Sequence, residues 1–111
     1  MPEPSTFHLE KVREIPLQLG DNQFAGNIFD IALSDAGLFY LADRTNHTVW
    51  AVDKSGKLQK KTGSQGAGPG ELAGPLSVSL RGDTLAILEG HSKRISFFTI
   101  DGRHYYFDLK S

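Results

Sequence analysis

Short runs of alternating apolar and polar residues, each ended by turn residues, recur along the chain. The three- and four-residue spacing of an amphipathic helix is nearly absent. Gly, Asp and Asn stand between the runs, where a tight reversal needs a positive φ angle or a side-chain hydrogen bond to the backbone. The pattern predicts short antiparallel strands at Val12–Leu19, Ile28–Leu33, Leu38–Ala42, Val49–Val52, Leu76–Leu80, Leu85–Leu88, Ile95–Ile100 and Tyr105–Leu109.

The second half of the chain repeats the first. From Phe39 onward, each position matches the one 46 residues later, so that Phe39 corresponds to Leu85 and Asp43 to Glu89. A one-residue difference in length falls in the first turn of the repeat, where it costs little. Upstream, the segment FAGNIFDIAL resembles LAGPLSVSL, and KLQKKTG supplies a further strand.

A period near 46 residues with four short strands is typical of a β-propeller blade. The sequence therefore predicts an all-β fold of two four-stranded antiparallel blades and one additional N-terminal outer strand. Residues 1–10 are interpreted as a disordered lead and residues 11–111 as one propeller segment. Within that segment we expect the outer strand at 11–20, blade one at about 28–63 and blade two at about 75–110.

Three stretches resemble the NHL-repeat and related bacterial six-bladed propeller families: LFYLADRTNHTVWAVDKSGK, GSQGAGPGELAGPLSV and RISFFTIDGR. The resemblance covers roughly residues 12–109. Thr48 stands where these families often have Arg, and Glu89 and Ser92 replace an Asp and an Asn, so a surface role common to the families does not transfer to these positions. The resemblance implies a six-bladed propeller, of which this chain supplies two blades.

Two blades cannot close a ring, because each sheet needs a neighbour on both faces. The chain is therefore either a part of a longer propeller or a subunit that completes the ring by self-association, as a homotrimer. The N-terminal strand and Tyr105–Leu109 compete for the outer position of a blade. This competition favours the N-terminal part of a longer propeller.

The glycine-rich stretch GSQGAGPGEL has two interpretations, a phosphate-binding loop or a connector between blades. A phosphate loop needs a lysine and a following helix, whereas this stretch offers Glu71 and a following strand. The connector is favoured, and at least one of Gly66, Gly68 and Gly70 is expected at positive φ.

The titratable residues do not form a recognisable catalytic pattern. Asp43 and Glu89 end equivalent strands, where each is expected to accept backbone hydrogen bonds from residues two or three further on; a catalytic or calcium role is the less favoured alternative. The histidines lack the paired spacing of ligands on a strand. His47 and His91 are expected to be solvated turn residues, and His104 to be exposed on an outer strand. No catalytic, cofactor-binding or metal-binding residue is assigned.

Composition narrows the class of protein. The 111 residues are 39% hydrophobic and 23% charged, with a net charge of -1, as in an ordinary soluble domain. Twelve basic and thirteen acidic residues, interspersed, disfavour a nucleic-acid partner, which needs an excess of positive charge. No cysteine and no membrane-spanning apolar run are present. The compartment stays open, and a periplasmic or extracellular parent protein is compatible with the sequence.

The turns between the second and third strands differ between the repeats, whereas the strands agree. Variable turns on a regular scaffold are where propellers bind other molecules. The leading hypothesis is therefore a non-catalytic module that binds a protein or other ligand through its loop face. The alternative, implied by the resemblance, is part of a lactonase- or lyase-type enzyme with a metal in the central channel. The candidate contact residues are Arg44, Asn46, His47, His91, Lys93 and Arg94; the aromatic run HYYFDL is a second candidate surface.

Overall fold

Strands and turns make up the part of the chain that the structure describes. A computed structural model describes residues 16–66, 70–91, 93–99 and 103–109. These ranges contain two four-stranded antiparallel sheets, each a meander of consecutive strands. The predicted all-β fold of two blades is confirmed. Blade one consists of β1 (Ile28–Leu33), β2 (Phe39–Asp43), β3 (Thr48–Val52) and β4 (Leu58–Thr62), and blade two of β5 (Pro75–Arg81), β6 (Thr84–Glu89), β7 (Arg94–Thr99) and β8 (His104–Asp108).

The pairing of the strands follows the sequence repeat. Leu41 pairs with Trp50 in blade one, and residues 46 positions later, Ile87 and Ser96, pair in blade two. The length difference lies between the first two strands of each blade, as predicted, because Leu33 pairs with Phe39 and Leu80 with Leu85.

Both first strands begin with the same irregularity. A register shift separates Ile28 from Asp30 in β1 and Pro75 from Ser77 in β5, 47 residues later. This offset places Gly26 in the position of Ala73. The matching letters of FAGN and LAGP would place Ala25 there, so the resemblance of these two segments locates the strand but not the equivalent residue before it.

The two blades stack through their inner strands. β1 and β2 pack on β5, and the Asp30 carboxylate accepts a hydrogen bond of 3.0 Å from the backbone N–H of Val78. The shared core between the sheets consists of apolar residues from both blades and of Leu72, which precedes β5: Ala42, Val49, Leu72, Val78, Leu85 and Ile87. Burial of this shared apolar surface is the main force holding the blades together.

A second apolar cluster covers the opposite face of blade one. Leu19, from the segment before β1, packs with Leu41, Trp50 and Val52. Gln18 anchors that segment, since its N–H donates to Gly56 O at 2.8 Å and its carbonyl accepts from Leu58 N at 2.9 Å. The predicted lead (1–10) and the first part of the predicted outer strand (11–15) lie outside the described residues.

The glycine-rich stretch lies between β4 and β5, and its described residues, 63–66 and 70–72, form no helix. Gly66 N donates to Leu72 O at 3.0 Å, and Leu72 N donates to Ser64 O at 2.7 Å, which closes the stretch into a loop. Gly70 has a φ of +77°, a conformation that a residue with a Cβ rarely adopts. The prediction of positive φ in this stretch is confirmed, although Gly68 lies outside the described residues.

Candidate functional site

The β2–β3 and β6–β7 turns are equivalent in the repeat. His47 in the first turn and Lys93 in the second lie 46 positions apart, and both have positive φ, 52° and 54°. The two turns therefore share a positive φ at this position while they carry different side chains there.

Side chains of the two turns meet across the boundary between the blades. An Arg44 guanidinium nitrogen lies 3.2 Å from His91 Nε2, and the rings of His47 and His91 are 5.6 Å apart. The guanidinium also lies over the Phe29 ring, 5.2 Å from its centre. Arg44, His47 and His91 form one surface, called the turn surface below.

Gly74 lies between the two histidines and positions both. Its N–H donates to His47 Nδ1 at 3.0 Å, and its carbonyl accepts from Gly90 N at 2.8 Å. A Cβ on Gly74 would lie 2.9 Å from the His91 ring, and its φ of +70° also favours glycine. The sequence analysis did not select Gly74 as a residue that positions the two histidines. Its location in the turn just before β5 was the signal that could have indicated this role.

The Asp43 carboxylate accepts hydrogen bonds both from the β2–β3 turn of blade one and from the segment before β1. Its Oδ1 accepts from Asn46 N at 3.0 Å, which confirms the predicted cap. Its Oδ2 accepts from Gly26 N and from the Trp50 indole, each at 2.8 Å. Burial alone would raise the pKa of Asp43, but the hydrogen bonds from Gly26, Trp50 and Asn46 outweigh it, and the pKa lies below the ordinary 3.8.

Glu89 of blade two connects the segment before β5 to the third strand of its blade in the same way. Its Oε1 accepts from Ala73 N at 2.9 Å, and its Oε2 accepts from the Ser96 hydroxyl. Ala73 and Ser96 correspond to Gly26 and Trp50 of blade one. Asp43 and Glu89 are both fully buried, so these carboxylates hold the fold together and do not face solvent.

Comparison with known proteins agrees with this architecture. A family model described as "6-bladed beta-propeller" matches residues 5–110. The chain belongs to this six-bladed β-propeller family. A search of curated proteins gave no significant match.

Two solved structures resemble this propeller segment. A Bacteroides fragilis protein described as exported superposes with a TM-score of 0.72 at 21% identity, over 86% of this chain and 28% of its own. Virginiamycin B lyase from Staphylococcus aureus superposes with a TM-score of 0.57 at 18% identity, over 73% of this chain and 26% of its own. At these identities the similarity shows the fold alone. The propeller segment spans little more than a quarter of either protein.

Not all six candidate contact residues belong to the turn surface of the propeller segment. Asn46 is exposed, but its side-chain amide is engaged within the chain, where it donates to Phe24 O and to Asp43 Oδ2, both at 2.8 Å. Lys93 is exposed, and its carbonyl accepts from Leu109 N at 2.8 Å.

Arg94 points away from the turns, toward the outer strand of blade two. Its guanidinium lies 3.8 Å from the centre of the Tyr106 ring, and its Nε lies 3.2 Å from Asp108 Oδ1. Of the six candidates, the structure therefore joins Arg44, His47 and His91 and separates Arg94 from them.

The expectation that His104 is exposed was wrong. His104 is half-buried, stacked on Phe98 with the ring centres 4.4 Å apart, and its Nδ1 accepts from Gly70 N at 3.1 Å. The loop between the blades folds against the start of β8, which local sequence does not reveal. Burial is the main cause that lowers the pKa of His104 below 6.5; the Arg94 charge adds to the effect, and the Glu89 charge opposes it.

Two classes of feature were not found in the described ranges. They contain no group of three or more His, Cys, Asp or Glu residues that could hold a metal ion. Nor do they contain a helix long and apolar enough to cross a membrane.

Proposed function

We propose that this propeller segment is a non-catalytic binding module that contacts a protein or other ligand through its turn surface. The observation that carries the proposal is the contact between Arg44 of blade one and His91 of blade two. It joins two turns that the repeat would otherwise leave as separate loops. Binding residues in repeat proteins commonly lie on such loops above a rigid scaffold.

The chemistry of the surface favours an acidic partner. Arg44 supplies a guanidinium that can bind a carboxylate through two parallel hydrogen bonds, and Lys93 adds an exposed positive charge in the neighbouring turn. Two aromatic side chains nearby are exposed, Phe24 by 80% and Phe29 by 51%. We therefore propose an extended protein segment that carries a carboxylate next to an apolar residue.

Fluorescence anisotropy with labelled peptides tests this function. A peptide rich in Glu and Phe should bind more tightly than the same peptide with Gln in place of Glu. Arg44→Gln should weaken the acidic peptide about tenfold, which corresponds to about 1.4 kcal/mol for one charged hydrogen-bonded contact.

Arg81→Gln is the matched control. Arg81 is exposed at the far end of β5, and its replacement changes the net charge by the same amount. If both variants bind the acidic peptide equally, binding reflects overall charge and the turn surface is not the site. If neither peptide binds the parent chain, the proposed ligand class is wrong.

An enzymatic function is the second candidate. It rests on the similarity in fold to virginiamycin B lyase, and it would place a metal in the central channel of a complete propeller. Metal analysis of the complete protein, together with an assay for lyase and lactonase activity, would distinguish it from a binding module. The description of the Bacteroides fragilis protein as exported supports the further proposal of a periplasmic or extracellular location.

A further inference from the structure

The two histidines of the turn surface both accept hydrogen bonds. His47 Nδ1 accepts from Gly74 N at 3.0 Å. His91 Nε2 lies 3.2 Å from the Arg44 guanidinium, and since arginine has only donors, this nitrogen must supply the lone pair. Each ring therefore uses one nitrogen as an acceptor, which makes both rings neutral imidazoles in this arrangement. The partners assign the proton of His47 to Nε2 and that of His91 to Nδ1.

The position of Arg44 depends on the neutral state of His91. A proton on His91 Nε2 would turn the acceptor into a donor and would place a second positive charge 3.2 Å from the guanidinium. Two donors cannot bond, and like charges repel. His47, whose ring centre lies 5.6 Å from that of His91, would add to the repulsion when protonated. Protonation would therefore break the contact and turn Arg44 away from the ring.

The charges around His91 favour an acidic partner once the contact is broken. Lys93, in the same turn as His91, is exposed and positive. The carboxylates of Asp43 and Glu89, which end the adjoining strands, are fully buried and bonded to donors inside the fold. The Glu71 carboxylate lies against its own loop. A proton gained by His91 therefore adds to the positive charge of the turn surface while it frees the N–H groups of Arg44.

We propose that the turn surface is a pH-gated binding site, in which neutral His91 holds Arg44 and protonated His91 releases it to an acidic partner. This inference rests on the proposed function. Histidine changes its charge between about pH 5 and pH 8, whereas a glutamate of the partner, with an ordinary pKa of about 4.3, stays ionised there. By linkage, the bound partner strengthens proton binding at the site by the same factor.

Nuclear magnetic resonance of the ligand-free chain tests the release of Arg44. The imidazole nitrogens report the tautomer and the charge of His91, and the Arg44 Nε–H resonance reports the surroundings of the guanidinium. We expect a neutral His91 with its proton on Nδ1 at pH 7.5, and an Arg44 resonance that shifts together with the protonation of His91 as the pH falls to 5.5. In His91→Gln, whose amide oxygen can accept from Arg44 without titrating, the Arg44 resonance should stay constant.

Fluorescence anisotropy with the peptide rich in Glu and Phe tests the consequence for binding. The parent chain should bind it about fivefold more tightly at pH 5.5 than at pH 7.5, as expected for charges at an exposed site. His91→Gln should bind it equally at both pH values, and the peptide with Gln in place of Glu should gain no affinity on acidification.

His104→Gln is the matched control for histidine titration. His104 lies outside the turn surface, against Phe98 and Gly70, so this variant should keep the gain in affinity of the parent chain. Circular dichroism at both pH values checks that the strands are retained in every variant.

Four outcomes would overturn the proposal. The first two are a His91 proton on Nε2 at pH 7.5 and an Arg44 resonance that ignores the protonation of His91. The third is the same gain in affinity in His91→Gln as in the parent chain. The fourth is equal binding of the acidic peptide by the parent chain at both pH values, which leaves the proposed function in place. Absence of binding at both pH values overturns the acidic partner itself, and with it the gating of that partner.

Discussion

At the scale of single residues, both blades contain an equivalent buried carboxylate that is hydrogen-bonded by different side chains. A buried carboxylate must accept a hydrogen bond from the segment before the first strand and another from the third strand. Blade one uses the short Asp43 with the large Trp50, and blade two uses the longer Glu89 with the small Ser96. The longer side chain of Glu89 reaches the short Ser96, as the shorter Asp43 reaches the large Trp50. The hydrogen bond to the third strand is therefore present in both blades although both residues differ.

Replacement of Asp43 by Ala should destabilise the fold. The change leaves the buried Trp50 indole without its acceptor, at a cost of about 1–3 kcal/mol. It also removes the bonds from Gly26 N and Asn46 N, which lie at exposed positions and cost less to release because water can replace the carboxylate. We expect a loss of about 3 kcal/mol in the free energy of unfolding, measured by urea denaturation at a fixed protein concentration.

Asp83→Ala, in the exposed turn between β5 and β6, is the control and should change the free energy by less than about 0.5 kcal/mol. Equal effects of the two substitutions would contradict the structural role of Asp43. Because its pKa is lowered on folding, the contribution of Asp43 is present above pH 3.8 and is lost as the pH falls through the folded-state pKa.

At the scale of elements, the loop between the blades is tied to strands on both sides. Leu72 fills the core between the sheets, and Gly70 N donates to His104 at the start of β8. The loop that the sequence marks only as glycine-rich therefore helps to fix the outer strand of blade two.

The His104 contact predicts a dependence of stability on pH. Its Nδ1 accepts a hydrogen bond, so protonation breaks the contact, and the pKa of the folded state lies below 6.5. The stabilisation is present above pH 6.5 and is lost as the pH falls through the folded-state pKa, because the unfolded chain binds the proton more readily.

Denaturation curves between pH 5 and pH 7.5 measure this effect. His104→Phe should reduce the fall in stability on acidification, whereas the control His91→Gln, at an exposed ring, should retain it. An identical pH profile for the parent chain and His104→Phe would show that His104 is not responsible.

The sequence predicts the elements better than the contacts between them. Alternation and the 46-residue repeat locate the strands and both blades, because strand pairing within a meander is local. The contact of Arg44 with His91 depends on how blade one stacks on blade two, and the burial of His104 depends on the fold of the loop. Arg94 shows the same limit, since its turn position does not reveal that it packs on Tyr106.

At the scale of the whole molecule, the chain is two consecutive blades of a six-bladed family. The blades are stacked through β1, β2 and β5, and their turns meet at Arg44 and His91. The proposed binding surface depends on this stacking. A different arrangement of the two sheets would separate the turns and leave different faces exposed.

Hydrogen exchange at the Val78 amide tests the stacking most directly. In the described structure this N–H bonds to Asp30 of the other blade. We expect slow exchange in the parent chain and exchange at least about tenfold faster in Asp30→Ala, which corresponds to about 1.4 kcal/mol. Ile87, at the centre of β6, should be unchanged, and Asp35→Ala in the turn after β1 should leave both amides protected. A Val78 amide that exchanges as fast as in an unfolded chain, while Ile87 stays protected, would contradict the stacked pair of blades.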